Sequence, residues 1–137
     1  MKIGFDIHGV LDKFPVIFKE MTRNLSANGV EIHVITGQEE ALVVPELEAI
    51  GIHYDRFFSV VGYHKQIGTK MWLGPKGTWF CDSNLWDATK GDYCFREGIN
   101  IHFDDTLKYG EYMPKTTTFI HVAKFGFENF YKYFFNL

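Results

Sequence analysis

Ile3-Gly4-Phe5-Asp6-Ile7-His8-Gly9-Val10-Leu11-Asp12 opens the chain as a short apolar strand running directly into an acidic turn. A strand of this kind, apolar throughout and ending in a carboxylate, fits a parallel sheet covered on both faces. In open α/β sheets, ligands bind at the carboxyl edge of the strands. This reading puts Asp6 at the strand tip and returns His8 to the same pocket across the turn. Gly9 lets the backbone bend there without a Cβ clash.

The chain downstream alternates in the same sense. Phe14, Ile17, Phe18, Met21 and Leu25 recur at helical spacing, and Asn28-Gly29 is a stop signal. Val30–Ile35 reads as a second strand followed at once by Thr36-Gly37. A helix is expected from Glu39 to Ile50, ended by Gly51, with Pro45 marking a kink or a late start. Tyr54–Val61 reads as a third strand. From Gly62 to Asp87 the pattern decays, punctuated by Gly62, Gly68, Gly74-Pro75 and Gly77, with Trp72, Trp79 and Trp86 between them. Two readings fit: a small lid-like insertion with room for a hairpin, or a long loop pinned by its tryptophans.

Order returns with a helix over Leu85–Glu97, then Gly98 and the strand Ile99–Phe103, at whose end stand Asp104 and Asp105. Thr117–Val122 is the expected last strand and Phe125–Phe135 a terminal helix. Phe127, Phe130, Tyr131 and Phe134 share one face of that helix, which reads as core packing. Tyr133 and Phe135 fall off the stripe and are a candidate dimer contact. The alternation predicts one α/β domain over residues 1–137, a Rossmann-like three-layer α/β/α sandwich. Its mostly parallel five-stranded sheet carries a minimal cap and a small Trp-rich insertion over about 62–87.

Bulk composition narrows the function classes. The 137 residues are 46% hydrophobic, with 14 Phe, which is enough for one packed core. A net charge of -3 gives no basic footprint, which argues against coating nucleic acid but leaves room for a site that takes one phosphate end. No apolar run has the length of a membrane span, and the N-terminus lacks a signal-peptide layout. Cys81 and Cys94 are too few and too irregularly placed for a disulfide framework or a zinc site. They read as small buried hydrophobes in a reducing, cytoplasmic setting.

The chemistry-bearing residues fall just after the strands. Asp6, Thr36 and Asp104 with Asp105 end strands that point to one sheet edge, and Lys90 on the preceding helix reaches the same edge. Clustered carboxylates repel and call for a cation. Hard oxygen ligands without His-rich or Cys-rich spacing favour Mg²⁺ over zinc. Mg²⁺, an ammonium and a hydroxyl together form a phosphate-handling set, in which a carboxylate such as Asp6 can attack phosphorus.

The order of these motifs resembles the haloacid dehalogenase-like (HAD) hydrolase superfamily. Its first motif, Asp-x-Asp-Gly after a strand, is matched by Asp6-Ile7-His8-Gly9-Val10-Leu11-Asp12. The second, an apolar strand ending in Thr or Ser, is matched by Ile32-His33-Val34-Ile35-Thr36-Gly37. Lys90 matches the lone lysine, with Lys70 and Lys76 as rivals in the irregular stretch. Ile99-Asn100-Ile101-His102-Phe103-Asp104-Asp105 matches the final acidic pair. Phe58-Ser59-Val60, Tyr63-His64-Lys65 and Trp86-Asp87 also look like small members from phages and bacteria.

The resemblance spans roughly residues 1 to 123 and implies these roles. Asp6 is the nucleophile and a Mg²⁺ ligand, and the backbone carbonyl of His8 is a second ligand. Asp104 binds the metal directly, with Asp105 acting through water or behind it. Thr36 holds the phosphoryl group, and Lys90 pairs with Asp6 and the phosphoryl oxygens. Asp12 is expected in a surface turn. The departure is His8, which stands where the family's phosphatases carry the acid-base Asp. Histidine can exchange protons near neutrality, so His8 leaves open a phosphatase with substituted acid-base chemistry, a specialised transferase, or a phosphate- or metal-binding protein without turnover. His33, His53, His64, His102 and His121 read as polar filling.

Only one helix separates Asp12 from Thr36, so there is no room for a large cap. An open site suits a phosphorylated small molecule such as a nucleotide, or a nucleic-acid end. The expected activity is therefore a Mg²⁺-dependent phosphatase working through an aspartyl phosphate. A receiver-like signalling domain combines similar residues, but its acidic pair follows the first strand, whereas Asp104-Asp105 follow the fourth.

Overall fold

The computed structural model describes residues 1–136, with side chains described through 133. In chain order the elements are β1 (Lys2–Phe5), a tight turn at Ile7–Leu11, α1 (Pro15–Ala27), β2 (Glu31–Thr36), α2 (Glu40–Ile50), β3 (Arg56–Ser59) and α3 (Val60–Ile67). The hairpin β4 (Trp72–Leu73) and β5 (Trp79–Phe80) follows, then α4 (Ser83–Glu97), β6 (Ile101–Asp104), a 3-10 turn at Leu107–Tyr112, β7 (Thr118–His121) and α5 (Lys124–Asn136).

The main sheet has the order β3-β2-β1-β6-β7, and every pairing in it is parallel. Helices cover both faces, giving the three-layer α/β arrangement expected from the alternation. Strand side chains alternate between two different surfaces. Ile3, Phe5, Ile32, Val34 and Phe103 pack on α1, α2 and α5 in the larger cluster. Ile35 and Phe58 face the other way, against Val60, Tyr93 and Cys94 of α3 and α4. That second face also carries Gly4, His33, His102 and Asp104, so it is the polar one.

The larger core is aromatic. Phe5 stacks on Phe103 at 4.9 Å between centroids, and Phe18 of α1 stacks on Phe127 of α5 at 5.4 Å. Pro15 starts α1, where its missing N–H costs nothing. Tyr131 meets Phe14, as the helical stripe predicts, whereas Phe130 is half exposed. Phe134 and Phe135 lie outside the residues with described side chains. Tyr133 is exposed.

Two sequence expectations are corrected. The third strand stops at Ser59, not Val61, because Ser59 Oγ accepts the Gly62 N–H at 2.9 Å and caps a helix. Val60 and Val61 thus begin α3, although as β-branched residues they read as strand. The stretch 62–87 is also more regular than its glycines suggest. It holds most of α3, the β4–β5 hairpin and the start of α4, whose N-cap is the Asp82 side chain accepting Asn84 N–H at 3.0 Å. Pro45 lies inside α2 without ending it. Cys81 and Cys94 are buried free thiols. Among the described residues no helix is long and apolar enough to cross a membrane.

Candidate functional site

The chain winds outward from β1 through β2 to β3, then returns to β6 on the other side of β1. The sheet therefore has its topological switch between β1 and β6, where crossover connections diverge and leave a crevice at the carboxyl edge. Asp6 follows β1 there, and Asp104 ends β6. The two strands are stitched at that point by the Asp6 N–H, which donates to the Phe103 carbonyl at 3.0 Å.

The turn after Asp6 is held by its own residues. Gly9 has φ of 85°, and its N–H donates to Asp12 Oδ1 at 2.8 Å. Asp12 is thus a turn-closing residue, as expected. A Cβ at position 9 would collide with the Asp105 carboxylate as well as strain the backbone, so glycine is required twice over.

Lys90 approaches from α4 on the polar face of the sheet, with only 2% of its surface exposed. Its Nζ lies 2.8 Å from Asp104 Oδ2 and 3.2 Å from Asp6 Oδ1. The ammonium also rests over the Tyr109 ring, 4.8 Å from its centroid. Asp104 is the most heavily bonded of the acids. Its Oδ2 accepts from His102 Nε2 at 2.9 Å and its Oδ1 from the Thr106 N–H at 3.0 Å. Asp6, Asp104 and Asp105 each present one oxygen within 4.8 Å of the others.

Thr36 ends β2 and is buried. Phe5 pairs with Val34, so Thr36 extends past the row of Asp6 towards the same edge. The expected set Asp6, Lys90, Asp104 and Asp105 therefore converges, with Thr36 on the neighbouring strand. Lys70 and Lys76 precede and occupy the hairpin, and the bridging lysine is Lys90. His8 behaves differently. Its Nε2 pairs with Glu46 Oε2 of α2 at 2.9 Å, both side chains half exposed, so the ring is engaged by α2 and not by the three aspartates.

The electrostatics follow from burial and pairing. Burial pushes the Asp6 carboxyl up to about 7 against the pull of Lys90, with the Asp104 charge adding to the rise. Burial acts on Asp104 in the same sense, yet the Lys90 ammonium and the His102 hydrogen bond hold it well below the usual carboxylate range. Asp105 is raised by burial and by Asp104. Burial would lower Lys90, but the charges of Asp6 and Asp104 outweigh it and hold the ammonium above its ordinary range. His102 is lowered by burial and stays neutral, so its Nε2 carries the proton given to Asp104. Three carboxylates share one ammonium, and the donor set is all hard oxygen. That set could hold a metal cation, whose charge would return Asp6 to its ionised form.

Several contributors escaped the sequence reading. His102 stands two residues before Asp104, and the two-residue period of a strand places both on one face. That signal was available. Tyr109 had none, and Trp86, read only as one of the tryptophans of the irregular stretch and in the family resemblance, gave no sign of its partner, since their contact spans a helix and a 3-10 turn: Trp86 Nε1 donates to Tyr109 Oη at 2.9 Å. Glu46 likewise meets His8 only through folding. Of the remaining histidines, His33 and His64 are polar filling, as read, His33 lying between Tyr93 and Glu31 and His64 between Thr69 and Thr89, whereas His53 and His121 are exposed.

No protein-family model matches the chain, and neither does any curated protein or solved structure.

Proposed function

We propose that the protein is a Mg²⁺-dependent phosphatase of the haloacid dehalogenase-like type, acting on a phosphomonoester. The observation that carries this reading is Lys90, buried and bridging Asp6 and Asp104 at the switch between β1 and β6. In this reading Asp6, Asp104 and Asp105 hold the cation, together with the backbone carbonyl of His8. When bound, the cation supplies charge neutralisation and polarises phosphoryl oxygens.

The chain's own residues carry the remaining steps. Asp6 Oδ attacks phosphorus, and the bond from phosphorus to the ester oxygen breaks, giving an aspartyl phosphate and an alkoxide. The Lys90 ammonium and the Thr36 hydroxyl hold the phosphoryl oxygens during that transfer. His8 as imidazolium gives its proton to the alkoxide, which leaves as an alcohol. The neutral imidazole then takes a proton from water as the water oxygen attacks phosphorus, releasing inorganic phosphate and restoring the Asp6 carboxylate. Glu46, paired with the His8 ring, orients it.

A chromogenic phosphate ester with Mg²⁺ tests the reading on wild type, Asp6→Asn and His8→Asp. Turnover by wild type, abolished in Asp6→Asn, is expected. The engagement of His8 by Glu46 also suits a second reading, a phosphate- or metal-binding protein without turnover. Silence of wild type with clear turnover by His8→Asp would select it.

A further inference from the structure

Beside the acidic site lies a second cavity of about 500 Å³, which the phosphate chemistry does not use. Its lining includes Trp72, Phe80, Trp86, Tyr109, Asp82 and Ser83. Two of these rings come from the hairpin. Trp72 and Phe80 are direct cross-strand partners, so their side chains project from the same face of β4–β5. Trp86 of α4 packs directly against Phe80, 5.2 Å between centroids, and is hydrogen-bonded to Tyr109, so these rings form one continuous aromatic wall. The hairpin is anchored from its other face, where Lys65 of α3 rests over Trp79.

Two contacts join this cavity to the acidic edge. The Tyr109 ring that lines it also carries the Lys90 ammonium. The Trp86 ring packs beside Gly37, immediately after Thr36, where a Cβ would meet it at 3.0 Å. A group in the cavity is therefore adjacent to whatever Lys90 and Thr36 hold. Trp72 is 50% exposed and Phe80 38%, in a two-stranded hairpin too short to be stable alone. Large rings left open around a cavity mark a binding surface.

We propose that this cavity stacks the nucleobase of a nucleoside monophosphate whose phosphate lies at Asp6, Lys90 and Thr36, an assignment that rests on the phosphatase reading for the phosphate end alone. The chemistry argues for a base over a lipid tail or a sugar. The walls include flat π faces, and among their polar groups are the carboxylates of Asp82 and Asp87, which accept. Asp87 is neutralised by Lys108 at 3.0 Å. Asp82 has no ion-pair partner among the described residues, and one of its oxygens accepts only a backbone N–H. Asp82 is an exposed lining carboxylate, and a carboxylate at the edge of an aromatic cavity favours a base edge that presents adjacent N–H donors, as guanine does. The volume suits one nucleoside and not a strand.

Binding and turnover separate the two ideas. Guanosine carries no phosphate, so its quenching of tryptophan fluorescence reports the cavity whatever the enzyme does to esters. Saturable quenching by guanosine and by guanosine 5′-monophosphate is expected, and none by ribose 5-phosphate. Trp72→Ala should weaken binding of the nucleotide by roughly ten-fold or more, with Trp72→Phe recovering most of it. Asp82→Asn keeps a capping residue at α4 and should lower the preference for guanosine 5′-monophosphate over uridine 5′-monophosphate. Circular dichroism of each variant verifies folding. The proposal is overturned if guanosine does not bind, or if Trp72→Ala folds and binds the nucleotide like wild type. It is equally overturned if a 5′-phosphorylated oligonucleotide is cleaved in preference to the mononucleotide. Hydrolysis of ribose 5-phosphate as fast as the nucleotide would leave the phosphatase reading standing and remove the cavity's role.

Discussion

Asp6 is the residue on which most of the site's energetics turns. Its carboxyl titrates near 7 in the metal-free site and near 3.8 in the unfolded chain. Between those values the folded protein holds a proton that the unfolded chain has released, so stability falls as pH rises through that window. Asp104 has the opposite sign: its depressed titration stabilises the fold above about 3.8 and is lost as pH falls below it. In chelator the wild-type melting temperature should therefore drop between pH 5 and 7. Asp6→Asn should remove that drop, and Mg²⁺ should restore wild type by several degrees at pH 8 but little at pH 5. A melting curve of wild type that is unchanged across this range in chelator would refute the titration. Lys90→Ala makes a second test, because it leaves two buried carboxylates without their ammonium. A loss of about 3–5 kcal/mol is expected in urea denaturation with chelator present. Mg²⁺ should recover part of it.

Among the elements, α4 does the most to assemble the site. It presents Lys90 to the acids, Trp86 to the cavity and Thr89 to His64. Its closeness to the 3-10 turn that carries Tyr109 depends on Gly91, where a Cβ would strike the Tyr112 carbonyl. The obstacle is backbone, so it cannot swing aside as a side chain does. Gly91→Ala should cost about 1–3 kcal/mol and lower turnover by shifting Tyr109 and Lys90 apart. Equal stability and rate in that variant would show that the turn has slack. Most elements were legible before folding, because each strand and each long helix carries its own period. α3 was the exception. Val60 and Val61 speak for strand, and the deciding cap, Ser59 to Gly62, is weak in a sequence rich in glycine.

At the scale of the whole molecule, the sheet divides labour between its faces. The face towards α1 and α5 is an aromatic stack, in which Phe18 touches Phe5, Phe103 and Phe127. Phe18→Ala should cost about 3–5 kcal/mol, read as a lower denaturation midpoint with an unchanged slope. A smaller loss would mean that the neighbouring rings collapse into the space. The other face exchanges that apolar packing for His33, His102 and Asp104, and so can hold charge beneath the carboxyl edge.

Local order carried the rest of what could be read in advance. The strands, the glycine turn at position 9 and the acids at strand ends are set by nearest-neighbour physics: alternation, φ and the direction of side chains along a strand. The switch between β1 and β6 was not read from the sequence and appears only in the folded strand order. The sequence already favoured Lys90 over Lys70 and Lys76; folding supplied the contact itself, packing α4 on the polar face so that the ammonium lies between Asp6 and Asp104. Folding also turned His8 to Glu46, and joined Trp72, Phe80, Trp86 and Tyr109 around one cavity. Those contacts link residues from separate elements, and no periodicity in a chain records which distant surfaces will meet.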